Sequence, residues 1–236
     1  MHTYIEDTIL DLQLSDRVQQ IKPSPTLVVT NRAAELKAAG KDIIGLGAGE
    51  PDFDTPEHIR EAAINAINTG FTKYTAVDGT PSLKKAIIEK FKRDNNLNYE
   101  ANQILVSCGG KQSFFNMSLA YINPGDEAII PAPYWVSYPD MVKIAGGEPV
   151  IVKTDESTRF KITAEQLEAA ITPKTRLVVL NSPSNPSGVA YSLEEFKALG
   201  EVLKKHPQIL IATDDMYEYI WWADFPFSNI LNACPE

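Results

Sequence analysis

Two runs late in the chain, Leu177-Val-Val-Leu180 and Ile209-Leu-Ile-Ala212, are apolar at every position. A strand with one face in water alternates polar and apolar residues, whereas a strand apolar throughout has both faces covered. That pattern belongs to parallel sheets flanked by helices. The two runs sit in candidate strands at Arg176–Leu180 and Ile209–Thr213, and others lie at Gln103–Ser107, Glu127–Ile130 and Pro149–Lys153. Helix patterns cover 57–69, 81–95, 111–122, 134–145, 163–171 and 192–206. Thr80 and Pro81 mark one helix start, since a threonine oxygen satisfies an orphan N–H and proline loses nothing at the first helical position. Strand and helix alternate, so the expected fold class is α/β: a mostly parallel sheet with right-handed crossovers and helices on both faces. Asn123-Pro-Gly125, Gly146-Gly147 and the segment 181–188 read as turns or loops. Ahead of this lies a polar leader, then Asp42–Leu46 as a short strand entering a glycine-rich turn.

Composition narrows the function. Lysine and arginine total 22 against 31 aspartates and glutamates, a net charge of −9 over 236 residues. Such a chain repels phosphate backbones, and the densest basic cluster (Lys84, Lys85, Lys90, Lys92, Arg93) reads as a solvated helix face, so no nucleic-acid partner is expected. No window carries the ~20 apolar residues that span a bilayer, and no membrane partner is expected. The leader lacks the basic start and apolar core of a secretion signal. Cys108 and Cys234 form no disulfide framework, and His2, His58 and His206 are far apart, so no metal is expected and the location expected is cytoplasmic.

Ligands of open parallel sheets gather at the carboxyl ends of the strands. The residues directly after each strand are therefore the candidate site residues. After 103–107 comes Ser107-Cys-Gly-Gly-Lys111, where two glycines at a helix start expose N–H groups and Lys111 adds a charge. It reads either as an anion site or as a plain Gly-Gly turn. After 127–130 comes Pro131-Ala-Pro-Tyr-Trp135, whose tryptophan is either a shelf for a flat ligand or core. The loop Asn181-Ser-Pro-Ser-Asn-Pro-Ser-Gly188 is longer than the two to six residues usual for such a connection. Thr213-Asp-Asp-Met-Tyr217 ends an apolar strand in carboxylates, fit for a protonated ligand group or for a helix cap. Gly45-Leu-Gly-Ala-Gly49 falls short of a dinucleotide fingerprint, because its third glycine comes one residue early and Glu50-Pro51-Asp52 opens a helix poorly.

In register along the chain, Gly49-Glu-Pro-Asp-Phe-Asp54, Lys73-Tyr-Thr-Ala-Val-Asp-Gly-Thr-Pro81, Gly109-Gly-Lys-Gln112, Pro133-Tyr-Trp-Val-Ser-Tyr-Pro139 and the 181–188 loop resemble the fold-type-I, class I pyridoxal-phosphate aminotransferases. The bacterial aspartate aminotransferase branch is the nearest. The resemblance runs from about residue 15 onward. It implies an incomplete large cofactor-binding domain over 57–236, preceded by an N-terminal arm and small-domain segment over 1–56. It also implies that Gly110 and Lys111 hold the cofactor phosphate and that Trp135 stacks on the ring. Asn185 and Tyr217 would bond the phenolic oxygen, and Asp214 would pair with the ring nitrogen, keeping it protonated as an electron sink. Asp214 is preferred to Asp215 because it stands three residues before Tyr217, and Asp215 stands where the family often has glutamate. Tyr74 matches a tyrosine that reaches the neighbouring subunit's phosphate, which implies a homodimer with shared active sites. Gly49, Lys111, Trp135, Asn185 and Thr26 match the surroundings of an amino-acid or 2-oxo-acid substrate. Ala132–Pro133 and Asn185–Pro186 match cis peptide bonds.

The same resemblance places the Schiff-base lysine beyond Glu236, together with two anion-binding arginines and two strands that lie between 103–107 and 209–213 in the sheet. This chain alone is accordingly expected to be a truncated or split form, poorly folded and inactive. The expected reaction of the intact protein is amino transfer between aspartate and 2-oxoglutarate. Alternatives are a prephenate or aromatic aminotransferase of the same branch, and a non-catalytic fragment that binds cofactor weakly or pairs with a complementary chain. A nucleotide-binding module rests only on the glycine run.

Overall fold

The computed structural model describes residues 13–47, 49 and 53–236. Most of the polar leader and the Ala48, Glu50, Pro51 and Asp52 positions of the glycine-rich turn lie outside the described residues. Four strands form one sheet: β1 (Glu127–Ala132), β2 (Glu148–Lys153), β3 (Thr175–Asn181) and β4 (Leu210–Asp214). Their order is β2-β1-β3-β4 and every pairing is parallel. Opposite partners include Ile129 with Val150, Val178 with Ile211, and Asn181 with Asp214.

Nine α-helices accompany the sheet among the described residues. They are α1 (Asp16–Gln19), α2 (Pro25–Ala38), α3 (Glu57–Asn68), α4 (Pro81–Asn95), α5 (Gly110–Tyr121), α6 (Ser137–Ile144), α7 (Ala164–Ala170), α8 (Leu193–Leu203) and α9 (Ile230–Ala233). The caps are those that the local sequence dictates. Thr80 accepts the Leu83 N–H at 3.3 Å, and Thr163 with Gln166 and Ser192 with Glu195 form reciprocal capping boxes.

Alternate residues of β1 and β3 point to opposite faces, and each face has its own core. On one side Ile129, Val178 and Leu180 pack with Leu167 of α7, Phe196, Leu199, Val202 and Leu203 of α8, and Ile230 of α9. On the other, Ala128, Ile130, Leu177 and Val179 pack with Phe114 of α5 and Tyr138, Met141 and Val142 of α6. The all-apolar run 177–180 is thus buried on both faces, as its composition requires. Gly146, at φ +95°, and Gly147 carry the chain from α6 into β2. A Cβ on Gly147 would lie 2.5 Å from Ile122 Cγ2, so only glycine lets this turn close against the core.

Three expectations need correction. Residues 104–107 form no strand: a short 3-10 turn covers Ala101–Gln103, and Val106 bonds only the Asp78 carbonyl of a turn. Residues 42–46 likewise pair with no strand. A strand exists only through a partner, and among the described residues neither segment has one. The helix expected from 134 begins at Ser137, which places Pro139 in its first turn, where a missing N–H breaks no intrahelical bond. Tyr134 and Trp135 are thereby left in a loop at the sheet edge.

Phe196 is fully buried and stacks on Tyr191 at 5.1 Å between centroids. Replacing it with alanine should destabilise the sheet domain by about 3–5 kcal/mol in urea unfolding.

Candidate functional site at the carboxyl edge of the sheet

The chain leaves β1, β3 and β4 at the same edge, and α5 presents its N-terminus there. Gly109, the cap of α5, has φ +82°, a conformation that costs a residue with a Cβ free energy and glycine little. The cap carries no side chain, so the first N–H groups of a 12-residue helix open onto the edge. The Cys108 N–H is bonded to Gln112 Oε1 at 2.5 Å, which fixes the loop entering the helix. Lys111 holds its ammonium 5.0 Å from the centroid of the Trp135 ring, an attraction between a cation and the electron-rich ring face. A Cβ on Gly110 would meet Met216 Cε at 3.4 Å, so the helix start lies against the segment after β4.

That segment follows Asp214, the last residue of β4. Because Asn181 and Asp214 are register partners, the Asn181 side-chain amide reaches the Asp214 carbonyl at 2.8 Å. The Asn181 side-chain oxygen in turn accepts the Asn185 N–H at 2.7 Å. One asparagine therefore ties the loop after β3 to the end of β4. Asn185 and Tyr217 line a common cavity of about 210 Å³ with Pro183, Ser184 and Trp222. The Asp214 carboxylate accepts the Tyr138 hydroxyl at 2.5 Å on Oδ2 and the Met216 N–H at 3.2 Å on Oδ1.

Asp215 points elsewhere. It accepts the Thr213 hydroxyl at 2.7 Å and the Asn229 amide at 2.9 Å. Burial pushes its carboxyl above the usual range, against the lowering effect of those two hydrogen bonds. The two adjacent carboxylates are thus separated in role by strand alternation, one at the edge and one tied to Asn229 below it.

Gly110, Lys111, Trp135, Asn185, Asp214 and Tyr217 thus gather at one edge. Among the described residues Thr26, Gly49 and Tyr74 are not brought to them. Tyr74 is fully exposed, a Cβ on Gly49 would meet nothing within 4 Å, and Thr26 lies on the exposed surface of α2. Ala132–Pro133 and Asn185–Pro186 are cis, as the resemblance implied, and Ser182–Pro183 is a third cis bond that it did not. Tyr138 is a site residue that sequence patterns alone do not single out. Its signal is its place three residues after Trp135, in the first turn of a helix directly after a strand. No group of histidine, cysteine and carboxylate side chains among the described residues could hold a metal ion.

A parallel α/β sheet with a helix N-terminus and a lysine at one point of its carboxyl edge, and a fixed carboxylate at another, defines an α/β protein whose candidate ligand edge is suited to an anion. Residues 41–235 match the model of aminotransferase class I and II, and the chain belongs to that family, whose members depend on pyridoxal phosphate. It is 68% identical to the aspartate/prephenate aminotransferase of Nitrosomonas europaea over 95% of this chain and 57% of that protein. It is 60% identical to the Cereibacter sphaeroides protein of the same name, over 92% and 54%. Among solved structures, the aspartate aminotransferase of Rhizobium meliloti superimposes with a TM-score of 0.92 at 54% identity, over 95% of this chain and 56% of that one. The aspartate aminotransferase of Thermus thermophilus with maleate gives 0.91 at 43% identity, over 95% and 58%. The chain therefore spans little more than half the length of the relatives it matches.

Asp215→Asn should remove the buried charge while its oxygen still accepts the Asn229 amide and its own amide turns to donate to the Thr213 hydroxyl oxygen. An acid whose folded-state value is raised costs the folded chain stability once pH climbs above its unfolded value, near ~4, and the cost levels off above the folded value. The stability of the asparagine variant relative to the parent is therefore expected to grow as pH rises from about 4 to 7, as measured by urea unfolding at each pH.

Proposed function

We propose that residues 57–236 are a large cofactor-binding domain preceded by an N-terminal arm and small-domain segment over 1–56. The intact protein is an aminotransferase passing an amino group between aspartate and 2-oxoglutarate, and these 236 residues, which span little more than half the length of its relatives, are inactive alone. The observation that carries this reading is the Asp214 carboxylate, held at both oxygens at the end of β4, on the edge where the α5 N-terminus and Lys111 also lie. A dianionic phosphate suits the helix N-terminus and Lys111, and a pyridinium nitrogen suits a carboxylate. The donor set therefore fits pyridoxal phosphate. When bound, that group supplies an electron sink for the substrate's α-carbon.

The residues of this chain have distinct tasks in the proposal. Gly110 and Lys111 bind the phosphate, and the Trp135 face covers the ring. Asn185 and Tyr217 orient the phenolic oxygen, each from its own loop, and Asp214 keeps the ring nitrogen protonated. Gly49 and Thr26 belong to the substrate side, with Lys111, Trp135 and Asn185 shared between cofactor and substrate. Tyr74 reaches the phosphate of a second copy, so the working unit is a cytoplasmic homodimer. The ammonium of Lys111 also favours a dicarboxylic substrate, in keeping with the maleate found with the Thermus enzyme.

A second reading, amino transfer to prephenate, is favoured by the names of similar relatives. An aromatic aminotransferase of Pyrococcus horikoshii also shares the fold, at 33% identity and a TM-score of 0.81. Transfer of ¹⁵N from aspartate to 2-oxoglutarate or to prephenate, followed side by side in the intact protein with pyridoxal phosphate, separates them. Transfer to 2-oxoglutarate supports the first reading, and transfer to neither overturns both. Asp214→Asn is expected to lower turnover at least about hundredfold with cofactor saturating, the scale on which a preorganised charge partner acts.

A further inference from the structure

The Asp214 carboxylate is served by a side chain from a different element. Tyr138 occupies the second position of α6, and side chains in a first helical turn lean toward the helix N-terminus. Because α6 comes directly after β1, that end of the helix lies at the carboxyl edge of the sheet. The Tyr138 ring is buried, packed against Phe114 at 4.9 Å and edge-on to Trp135 at 5.2 Å between centroids. Its hydroxyl has one polar partner among the described residues, Asp214 Oδ2 at 2.5 Å. A phenol so placed acts as a fixed donor: burial and the adjacent carboxylate both push it far above the ordinary tyrosine range.

We propose that Tyr138 is the positioning residue of the cofactor's ring-nitrogen partner: by donating to Oδ2 while the Met216 N–H donates to Oδ1, it fixes the Asp214 carboxylate in one orientation. The remaining lone pairs then point toward the ligand edge without reorganisation when a protonated ring arrives. Trp135 and Lys111 join the same arrangement, since the ring beneath the Lys111 ammonium is the one that buttresses Tyr138. The inference rests on the assignment of Asp214 to the pyridinium nitrogen.

The test uses pyridoxamine 5′-phosphate, which has no aldehyde and binds without a lysine. Its dissociation constant is measured by tryptophan fluorescence in the full chain and in Tyr138→Phe, Asp214→Asn and the double variant. Tyr138→Phe keeps the ring packing and removes only the hydroxyl. It is expected to weaken binding about five- to tenfold in the parent and not at all in the Asp214→Asn background. A Tyr138→Phe protein that binds as the parent does, beside a weakened Asp214→Asn, overturns the Tyr138 inference and leaves the Asp214 assignment standing. Equal losses from Tyr138→Phe in both backgrounds also overturn it, because the tyrosine would then be merely structural. An Asp214→Asn protein that binds like the parent overturns the Asp214 assignment itself, and the inference with it.

Discussion

Parallel pairing between β3 and β4 is the constraint on which the site depends. A parallel ladder leaves no freedom of direction, so every strand ends at the same edge and every loop after it starts there. The register then decides which loop residues meet. With Asn181 opposite Asp214, a short amide side chain is enough to tie together two loops that are 33 residues apart in sequence. A slip of one residue would turn Asp214 to the other face and put Asp215 in its place. The double-faced burial of Leu177, Val178, Val179 and Leu180 forbids that slip, since any shift would carry the run off its two cores.

The polar layer at the edge is built in two tiers. Above are groups with capacity left for a ligand: the α5 N–H groups, Lys111, Asp214, and the loop carrying Asn185. Beneath are groups whose capacity is taken up within the chain. Asp215 is held by Thr213 and Asn229, and Asn232 by the Asn95 carbonyl. Asn95 also reaches Glu218, which is paired with Lys90, so the end of α4 grips the segment on either side of which Tyr217 and Tyr219 stand. A buried carboxyl such as Asp215 is tolerable because its hydrogen bonds offset part of the desolvation cost.

Much of this is legible in the sequence because it depends on local pattern. The apolar runs at 127–130, 176–180 and 209–213 are strands within about two residues, and 81–95 is a helix with the start read from Thr80 and Pro81. The expectations that failed depended on partners. Residues 104–107 have strand-like composition, but composition cannot supply a neighbouring ladder. Helix α2 escapes a reading by pattern because its apolar residues keep to no face: none of them is buried, and nothing in their spacing distinguishes it from a polar leader. At the site, residue types flanking each strand are readable one by one. The Tyr138–Asp214 bond is not, since no local rule links an early helical turn to the end of the third strand downstream.

That bond joins residues 76 positions apart. Closing so long a loop is entropically slow and is rewarded only after β1, β3 and β4 have found one another. The carboxylate's orientation is therefore a late product of folding. Helix α5 and its glycine loop are local and can form early, but they have nothing to face until the sheet is assembled. A partly folded chain would present an anion trap without its counterpart. On the proposed reading of the site, discrimination between a phosphate alone and a phosphate carrying a basic ring would be acquired only with the final closure of the sheet.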